Sequence, residues 1–393
     1  MSKWKEVRFD EIGDVFSGGT PSTTNPELWD GDIAFITPYD LSKNRTPYIK
    51  QTQRYITQKG LGQSSTNLLS ANNLIISSRA PIGYIALSAT EFVTNQGCKS
   101  LRFFKDQEPL FHYYNFQMYV DEMKRFGVGT TFSEISKGDL CKLKLRIPKE
   151  NNIQKEVAHI LTTCDNVIEQ TQSAIAKYKA IKQGMLHDLF TRGLDANGHL
   201  NPTYQNAPEL YKESELGMIP KEWEVKRLGD IATMKSGDGI TSKFITDSGD
   251  YPVYGGNGLR GYTTTFTHEG DYVLIGRQGA LCGNITRVSN KFFASEHAVV
   301  VTVNKDIDVD WLSQKLDAMN LNQYSEASAQ PGLAVAKILR LFITKPEHHE
   351  QNEIGKRLLA LDNKMNAEET LLQKYQSIKR GLMGDLLGGK KNA

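Results

Sequence analysis

The sequence predicts an α+β protein. Two mixed, strand-rich globular domains are joined by two long helices packed as an antiparallel coiled coil, the whole forming a pseudo-twofold internal repeat. Three observations predict this. YKAIKQGMLHDLF, from Tyr178 to Phe190, is nearly rewritten as YQSIKRGLMGDLL, from Tyr375 to Leu387, 197 positions further on. Upstream of each lies a proline-led run, PKENNIQKEVAHILTTCD from Pro148 and PEHHEQNEIGKRLLALD from Pro346. Further back, WKEVRFDEIGD at Trp4 answers WEVKRLGDIAT at Trp223. A unit of opening motif, globular stretch, proline and long helix therefore occurs twice, and such a repeat governs the reading of the fold.

Taken in order, the first globule covers 1–149. Its Trp4, like Trp223 in the second, is expected as a core anchor. NLIIS and GYIALS are short β-branched runs bounded by Gly, Asn and Ser, which predicts strands. Pro109–Phe126 predicts a helical patch; within it FHYYNFQMY, from Phe111 to Tyr119, fits helical packing better than a base-stacking platform. The first long helix covers 150–192. Segment 193–222 is polar, with Pro202, Pro208 and Pro220, and predicts a linker. The second globule covers 223–346, with strands at DYVLIG and AVVVTV and a helical patch at Asp310–Asn322. The second long helix covers 347–388. The opening motifs lie 219 residues apart (Ile12 to Ile231) and the prolines 198, so the first globular stretch is the longer by 21.

Apolar residues in the long helices fall at spacings of mainly four and three, a heptad-like seam. It runs from Ile153 through Val157, Ile160, Val167, Tyr178 and Ile181 to Leu189. In the second helix it runs from Ile354 through Leu361, Met365, Leu372 and Ile378 to Leu386. Doubled apolar positions widen the stripe beyond one seam. They mark Leu161, Ile168, Met185, Leu186, Leu358, Leu371, Leu382 and Met383 as candidate partner-binding residues. Gly184 and Gly381 sit at matching places, each costing about 1 kcal/mol relative to Ala. Close approach of another backbone accounts for that cost, and so does a helix end.

The bulk numbers narrow the function. The chain has 393 residues, 39% of them hydrophobic, and a net charge of only +2. No apolar run of about 18 residues offers a membrane span, and the start, MSKWKEVRFDEIGD, has no apolar signal core, so a cytoplasmic location is expected. Cys98, Cys141, Cys164 and Cys282 are widely spaced and suggest neither a zinc site nor a disulfide framework. No P-loop, HExxH, NPPY or DPPY run, or GxSxG elbow is present, which points away from an enzyme and from a resident cofactor or metal. Gly256-Asn257-Gly258-Leu259-Arg260-Gly261 fits GxGxxG, but a strand-like run follows instead of a helix, so it reads as a turn. His348-His349-Glu350 reads as a solvated helix start, because the first repeat has no counterpart.

One window stands out. Between Leu41 and Thr90 lie Lys43, Arg45, Lys50, Arg54, Lys59 and Arg79 with no acid, among many Ser, Thr, Asn and Gln. A local basic patch inside a nearly neutral chain suits a polyanion, and short amides and hydroxyls suit base edges. A helix of ~35 residues is about 50 Å long, and one DNA turn is about 34–36 Å. Two unlike globules at the ends of such a rod would read an asymmetric, bipartite site with a fixed unread spacer.

These phrases also resemble a family. FSGGTPSTTNPELWDGDIAFITPYDL, SSRAPIGYIAL, TNQGCKSL, GTTFSEISKGDLCKLKLRIP and KESELGMIPKEWEVKRLGDIA, with both helices, are similar to the specificity (S) subunit of type I restriction–modification systems. The resemblance covers nearly the whole chain. It implies two target-recognition domains reading halves of a split double-stranded DNA site, and two helical spacers. It also implies two modification subunits, which methylate adenine using S-adenosylmethionine, and restriction subunits, which translocate and cut DNA. The chain itself would then be non-catalytic. The alternative is a protein scaffold whose basic window is plain surface.

The candidate DNA contacts are Lys43, Arg45, Lys50 and Arg54 on phosphates. Arg79 and Arg277 occupy matching loops, each able to meet guanine or a phosphate, or to form a salt bridge within its domain. Asn95 and Gln96 could meet adenine or form a plain turn, and Thr37 and Tyr39 are secondary candidates. In the second globule the candidates are Lys243, Asn257, Arg260, Arg277 and His297.

Overall fold

The computed structural model describes residues 3–79, 81–127, 134–279, 281–325 and 332–388. In chain order the first half carries β1 (Trp4–Arg8), β2 (Gly13–Ser17), β3 (Trp29–Ile36), α1 (Pro38–Lys43), β4 (Tyr48–Ile49), β5 (Arg54–Ile56) and α2 (Gln58–Gly62). It continues with β6 (Leu74–Ser77), β7 (Ile85–Ser88), β8 (Phe92–Thr94), β9 (Cys98–Phe103), α3 (Pro109–Gln117), α4 (Val120–Phe126), α5 (Lys137–Cys141), β10 (Lys144–Pro148) and the 41-residue α6 (Asn151–Thr191). Then follow β11 (Tyr211–Ser214), β12 (Gly217–Pro220), β13 (Glu224–Arg227), α7 (Leu228–Ile231), β14 (Ala232–Ser236), β15 (Tyr251–Gly255), β16 (Gly258–Thr263), β17 (His268–Glu269) and β18 (Tyr272–Gly276). The chain closes with β19 (Ile285–Val288), β20 (Lys291–Ala294), β21 (Ala298–Val303), α8 (Val309–Ala318), α9 (Val335–Leu339), β22 (Phe342–Lys345) and the 40-residue α10 (His348–Leu387).

The chain forms two compact units. One comprises Met1–Thr171 with Leu371–Ala393, the other Gln172–Thr370. Each therefore owns one globule, the start of one long helix and the end of the other. Two mixed α/β domains are repeated, with α6 and α10 as their helical connectors.

In the first unit β1 pairs antiparallel with β10, so the opening motif closes onto the strand that precedes the proline, with Trp4 opposite Pro148. A five-stranded sheet runs β2-β9-β6-β7-β4, and a three-stranded sheet runs β5-β3-β8. All four side chains of β6, LIIS, are buried. A central strand covered on both faces needs a continuous apolar run, not an alternating one. In the second unit β13 pairs with β22, and the sheets run β14-β21-β18-β19 and β16-β15-β20-β17. The order β2-β9-β6-β7 thus reappears as β14-β21-β18-β19. The predicted patch Pro109–Phe126 forms α3 and α4, and Asp310–Asn322 overlaps α8 from its second residue. Phe111, Tyr114 and Phe116 are buried, as helical packing requires.

The 21 additional residues of the first globule fall largely in one place. Between β3 and β5 lie residues 37–53, with α1 and β4; between β15 and β16 lie only Gly256 and Asn257. The GxGxxG run is that tight hairpin. Gly258 has φ +82° and Gly261 has φ +146°, conformations that glycine adopts without strain.

The same ties bind each globule to its long helix. Gln154 and Gln351 are buried, and each Oε1 accepts from the N-cap backbone N–H of the globule's helix, Glu108 at 3.0 Å and Asp308 at 2.9 Å. Asp165 accepts from Tyr114 Oη at 2.8 Å and from Lys379 Nζ on α10. Asp362 accepts from Gln314 Nε2 at 2.6 Å and from Lys182 Nζ on α6 at 2.6 Å. In the second unit Lys179 also meets Glu369 at 3.1 Å, so partners run backward along α10 as α6 advances.

Several expectations are corrected. Ile160, Ile181 and Ile378, placed on the seam, are 39%, 39% and 44% exposed, while Leu161 is fully buried beside Ile160. The doubled apolar positions allow two seams one residue apart, which is a rotation of about 100°. The core uses Leu161 and Leu358, both 0% exposed, so neither belongs to a free partner surface. Segment 193–222 is not a plain linker: it contains the β11–β12 hairpin and buries Leu194, Tyr211 and Ile219. Nor is Glu350 a solvated helix start. It accepts from Trp223 Nε1 at 2.8 Å and from the Leu194 backbone N–H at 2.7 Å, and burial raises its pKa. Gly184 and Gly381 lie inside their helices, and a Cβ at either would meet nothing within 4 Å, so among the described residues no backbone from outside their own helices approaches them closely.

His112 yields a pH test. It is fully buried on α3, stacks on Phe103 at 5.1 Å, and bonds through Nε2 to Gln107 Oε1 at 2.9 Å. Burial lowers its pKa from 6.5 to about 3. The unfolded chain takes up a proton below 6.5 that the folded chain refuses, so this contribution to stability is lost as pH falls through that window. The slope approaches ~1.4 kcal/mol per pH unit. Urea unfolding of the chain at pH 7 and pH 5 should show this loss, and His112→Phe should reduce it.

Candidate nucleic-acid interface

In the first globule four loops meet. The turn Asn95–Gly97 lies against the start of α1, where a Cβ on Gly97 would come within 2.9 Å of Pro38. Gln96 Oε1 accepts from Thr20 Oγ1 at 2.6 Å, and the Ser78 backbone N–H donates to Gly97 O at 2.8 Å. The inserted stretch 37–53 is held by a buried carboxylate: Asp40 accepts from the backbone of Thr37 at 2.9 Å and of Gln53 at 3.0 Å. Around it lies a cavity of about 610 Å³ whose lining includes Tyr39, Lys43, Lys50, Gln51 and Gln53. Lys43 Nζ sits 5.4 Å from the Tyr39 ring centre.

The structure separates the basic window into different roles. Lys43 and Lys50 are exposed, line the cavity and make no ion pair among the described residues. Arg45 donates to Ser42 O at 2.9 Å, bracing the end of α1. Arg54 lies flat on Trp29, 3.4 Å from the ring centre, which favours cation–π packing. Lys59 pairs with Glu27. Arg79 pairs with Glu134 at 2.9 Å, so its charge is already engaged within the domain. Asn95 Oδ1 accepts from the Gly97 backbone N–H at 3.1 Å, forming the plain turn. Thr37 caps α1, whereas Tyr39 is 51% exposed.

In the second globule a cavity of about 490 Å³ beside the β15–β16 hairpin is lined by Gly256, Asn257, Leu259, Arg260, Gln278, Gly279 and His297. Asn257, Arg260 and His297 are thus brought together. Asn257 Oδ1 accepts from Asn284 Nδ2 at 2.8 Å, and His297 Nε2 lies 3.2 Å from Glu296. Lys243 is exposed on a short 3₁₀ turn and does not line that cavity. Arg277 is exposed and donates to Ser236 Oγ at 3.1 Å.

Arg79 and Arg277 are not equivalent, although their loops are. Ser77 faces Cys98 as Gly276 faces Ala298. Ser78 N donates to Gly97 O as Arg277 N donates to His297 O. Arg277 therefore matches Ser78, and Arg79 matches Gln278. One step along an extended chain reverses the side chain's face, which places Gln278 in the cavity beside Arg277. Residue type alone favoured the arginine; the pairing of β18 with β21 was the signal needed to find Gln278. Among the described residues no group of three or more His, Cys, Asp or Glu is arranged to hold a metal, and no helix is long and apolar enough to cross a membrane.

The chain is thus a duplicated frame whose two globules carry differently lined cavities. The family profile described as the type I restriction modification DNA specificity domain matches residues 1–178 and again 220–377. Over 375 residues the chain is 31% identical to the specificity subunit of the type I restriction enzyme EcoprrI of Escherichia coli, covering 92% of this chain and 89% of that one. Over 246 residues it is 33% identical to the MjaIX specificity subunit of Methanocaldococcus jannaschii, covering 62% of this chain and 54% of that one. The crystal structure of a type I restriction–modification S subunit from M. genitalium shares the fold, with a TM-score of 0.69 at 19% identity over 98% of this chain and 96% of that one. The chain belongs to the specificity (S) subunits of type I restriction–modification systems, which carry the DNA-recognition domains and are non-catalytic.

Glu134 serves two cations unequally. Arg79 is 54% exposed, whereas the Lys99 side chain is 7% exposed and lies 3.5 Å from Glu134. Arg79→Ala should cost at most ~1 kcal/mol, as for other exposed pairs. Glu134→Ala, which leaves the Lys99 ammonium enclosed without its acceptor, should cost about 1.5–3 kcal/mol. Urea midpoints of the two variants check the order.

Proposed function

We propose that this S subunit reads an asymmetric, bipartite double-stranded DNA target with a fixed unread spacer. The first target-recognition domain, 1–149, reads one half through Lys43, Lys50, Tyr39 and Gln96, with Arg45, Arg54, Arg79 and Asn95 shaping that surface. The second, 223–346, reads the other half through Asn257, Arg260, Gln278 and His297, flanked by Lys243 and Arg277. Spacer helices 150–192 and 347–388 pair as an antiparallel coiled coil within a pseudo-twofold internal repeat, with 193–222 as the connecting segment.

The observation that carries this reading is the contrast between two cavities. The cavity in the β3-to-β5 connection offers lysines, a tyrosine and amides, while the cavity at the β15–β16 hairpin offers Asn257, Arg260 of β16, and Gln278 and His297 from neighbouring loops. Lysines suit phosphates, whereas arginine and amide side chains suit base edges. Two readers on one frame, with unlike cavity linings, would give a target with two unlike halves.

The same reading assigns the partners. Two modification subunits would dock on the helices, and restriction subunits would join them. Ile181 with Gly184, and Ile378 with Gly381, write the same exposed apolar-and-open patch twice, one in each unit. Leu371, also exposed, and the half-buried Ile168, Met185, Leu186, Leu382 and Met383 border the available helix surface. An identical pair of partners would meet an identical pair of surfaces on an otherwise asymmetric chain.

Exchanging 223–346 for the equivalent segment of another S subunit should change one half of the methylated sequence and preserve the other, read by methylation profiling of a host carrying the complex. A change in both halves contradicts modular reading. Binding of the assembled complex to its target should also weaken by about tenfold or more between low and moderate salt, because phosphate contacts release counterions.

A further inference from the structure

We infer that the repeated Asp–Lys ties between α6 and α10 are register pins that set which spacer length the protein accepts. The inference rests on the bipartite reading above and names the residues that give the spacer its single value.

Asp165 and Asp362 lie 197 residues apart, as do Lys182 and Lys379. Each unit therefore holds one copy of the same ion pair, with aspartate and lysine on opposite long helices. Both pairs are shielded: side-chain exposure is 16% and 23% for Lys182–Asp362, and 20% and 22% for Lys379–Asp165. The neighbouring pair Lys179–Glu369 is 58% and 44% exposed, a setting in which ion pairs contribute little.

Shielded ion pairs add little net stability over apolar residues of similar size. Breaking one, however, leaves an uncompensated charge in a partly shielded place. That asymmetry makes them selective against wrong alignments. The apolar stripe cannot provide such selectivity, because its doubled positions let one apolar residue replace another when a helix slides or rolls. A helix displaced by one turn would leave both lysines and both aspartates unpaired. Polar residues at single core positions fix register in coiled coils by this means.

The second donor extends the lock to the globules. Asp165 also accepts from Tyr114 on α3, and Asp362 from Gln314 on α8. Each carboxylate thus fastens three elements: its own helix, the opposite helix and a helix of its recognition domain. Within each unit the attachment of the recognition domain to its long helix is fixed by the same carboxylate that fixes how the two long helices pair there. These are positioning residues, and they touch no DNA.

The test uses the full chain assembled with its modification subunits. Lys182 and Asp362 are replaced together by leucine, as are Lys379 and Asp165, keeping the seam filled and removing the pins. Methylation is measured on duplexes with the native spacer and with spacers one base pair shorter and longer. The wild-type complex should methylate the native spacing, and the variant should lose discrimination between native and altered spacings by about tenfold, the scale of one such coupling. A folded, assembled variant with unchanged discrimination overturns the inference. If the leucine variant does not assemble, Lys182→Asp with Asp362→Lys decides. Native discrimination in this exchanged pair supports the pins, and broadened discrimination overturns them. A wild-type complex that methylates no split site would instead remove the bipartite reading itself.

Discussion

An aspartate that accepts from two directions at once is the constraint on which each unit depends. Asp165 and Asp362 sit where a long helix, the end of the opposite long helix and a globule helix converge. Around them, Leu161 and Leu358 fill the core, and Gln154 and Gln351 hold the N-caps of α3 and α8. Apolar burial provides most of the cohesion. It is non-directional, so the polar ties choose one arrangement among those that burial would permit.

This changes the meaning of the repeat. Residues rewritten 197 positions apart divide into two sets. Gln154, Leu161, Asp165, Lys182 and Leu189 repeat as Gln351, Leu358, Asp362, Lys379 and Leu386, and these lie against their own unit. Ile181 and Gly184 repeat as Ile378 and Gly381, and these face outward over open space. Much of the likeness between the two helices thus follows from a common internal construction. The outward remainder is what a pair of identical partners could use. The loops that line the two cavities show no such likeness, which suits readers of different sequences.

Strands such as NLIIS and AVVVTV were legible because a doubly covered strand needs an unbroken apolar run. The helices were legible from heptad spacing over 41 and 40 residues. Their seam was not, because Ile160 beside Leu161 offers two phases, and only contact with α3 chooses between them. The β11–β12 hairpin was hidden behind prolines and charges that resemble a linker. Asn257, Arg260 and His297, named from residue type and turn chemistry, line one cavity. Gln278 could not be named in this way, since its facing depends on the register of β18 against β21. A salt bridge of Arg79 was one open alternative, but its acid could not be named because Glu134 lies 55 residues away in sequence.

The ties can be weighed directly by a double-mutant cycle on Lys182 and Asp362, with each residue changed alone and both together, read from urea unfolding. The account predicts a coupling of about 1–3 kcal/mol, as for other residues of one shielded network, and a similar value for Lys379 and Asp165. Additive losses at both sites, with no coupling, would contradict it.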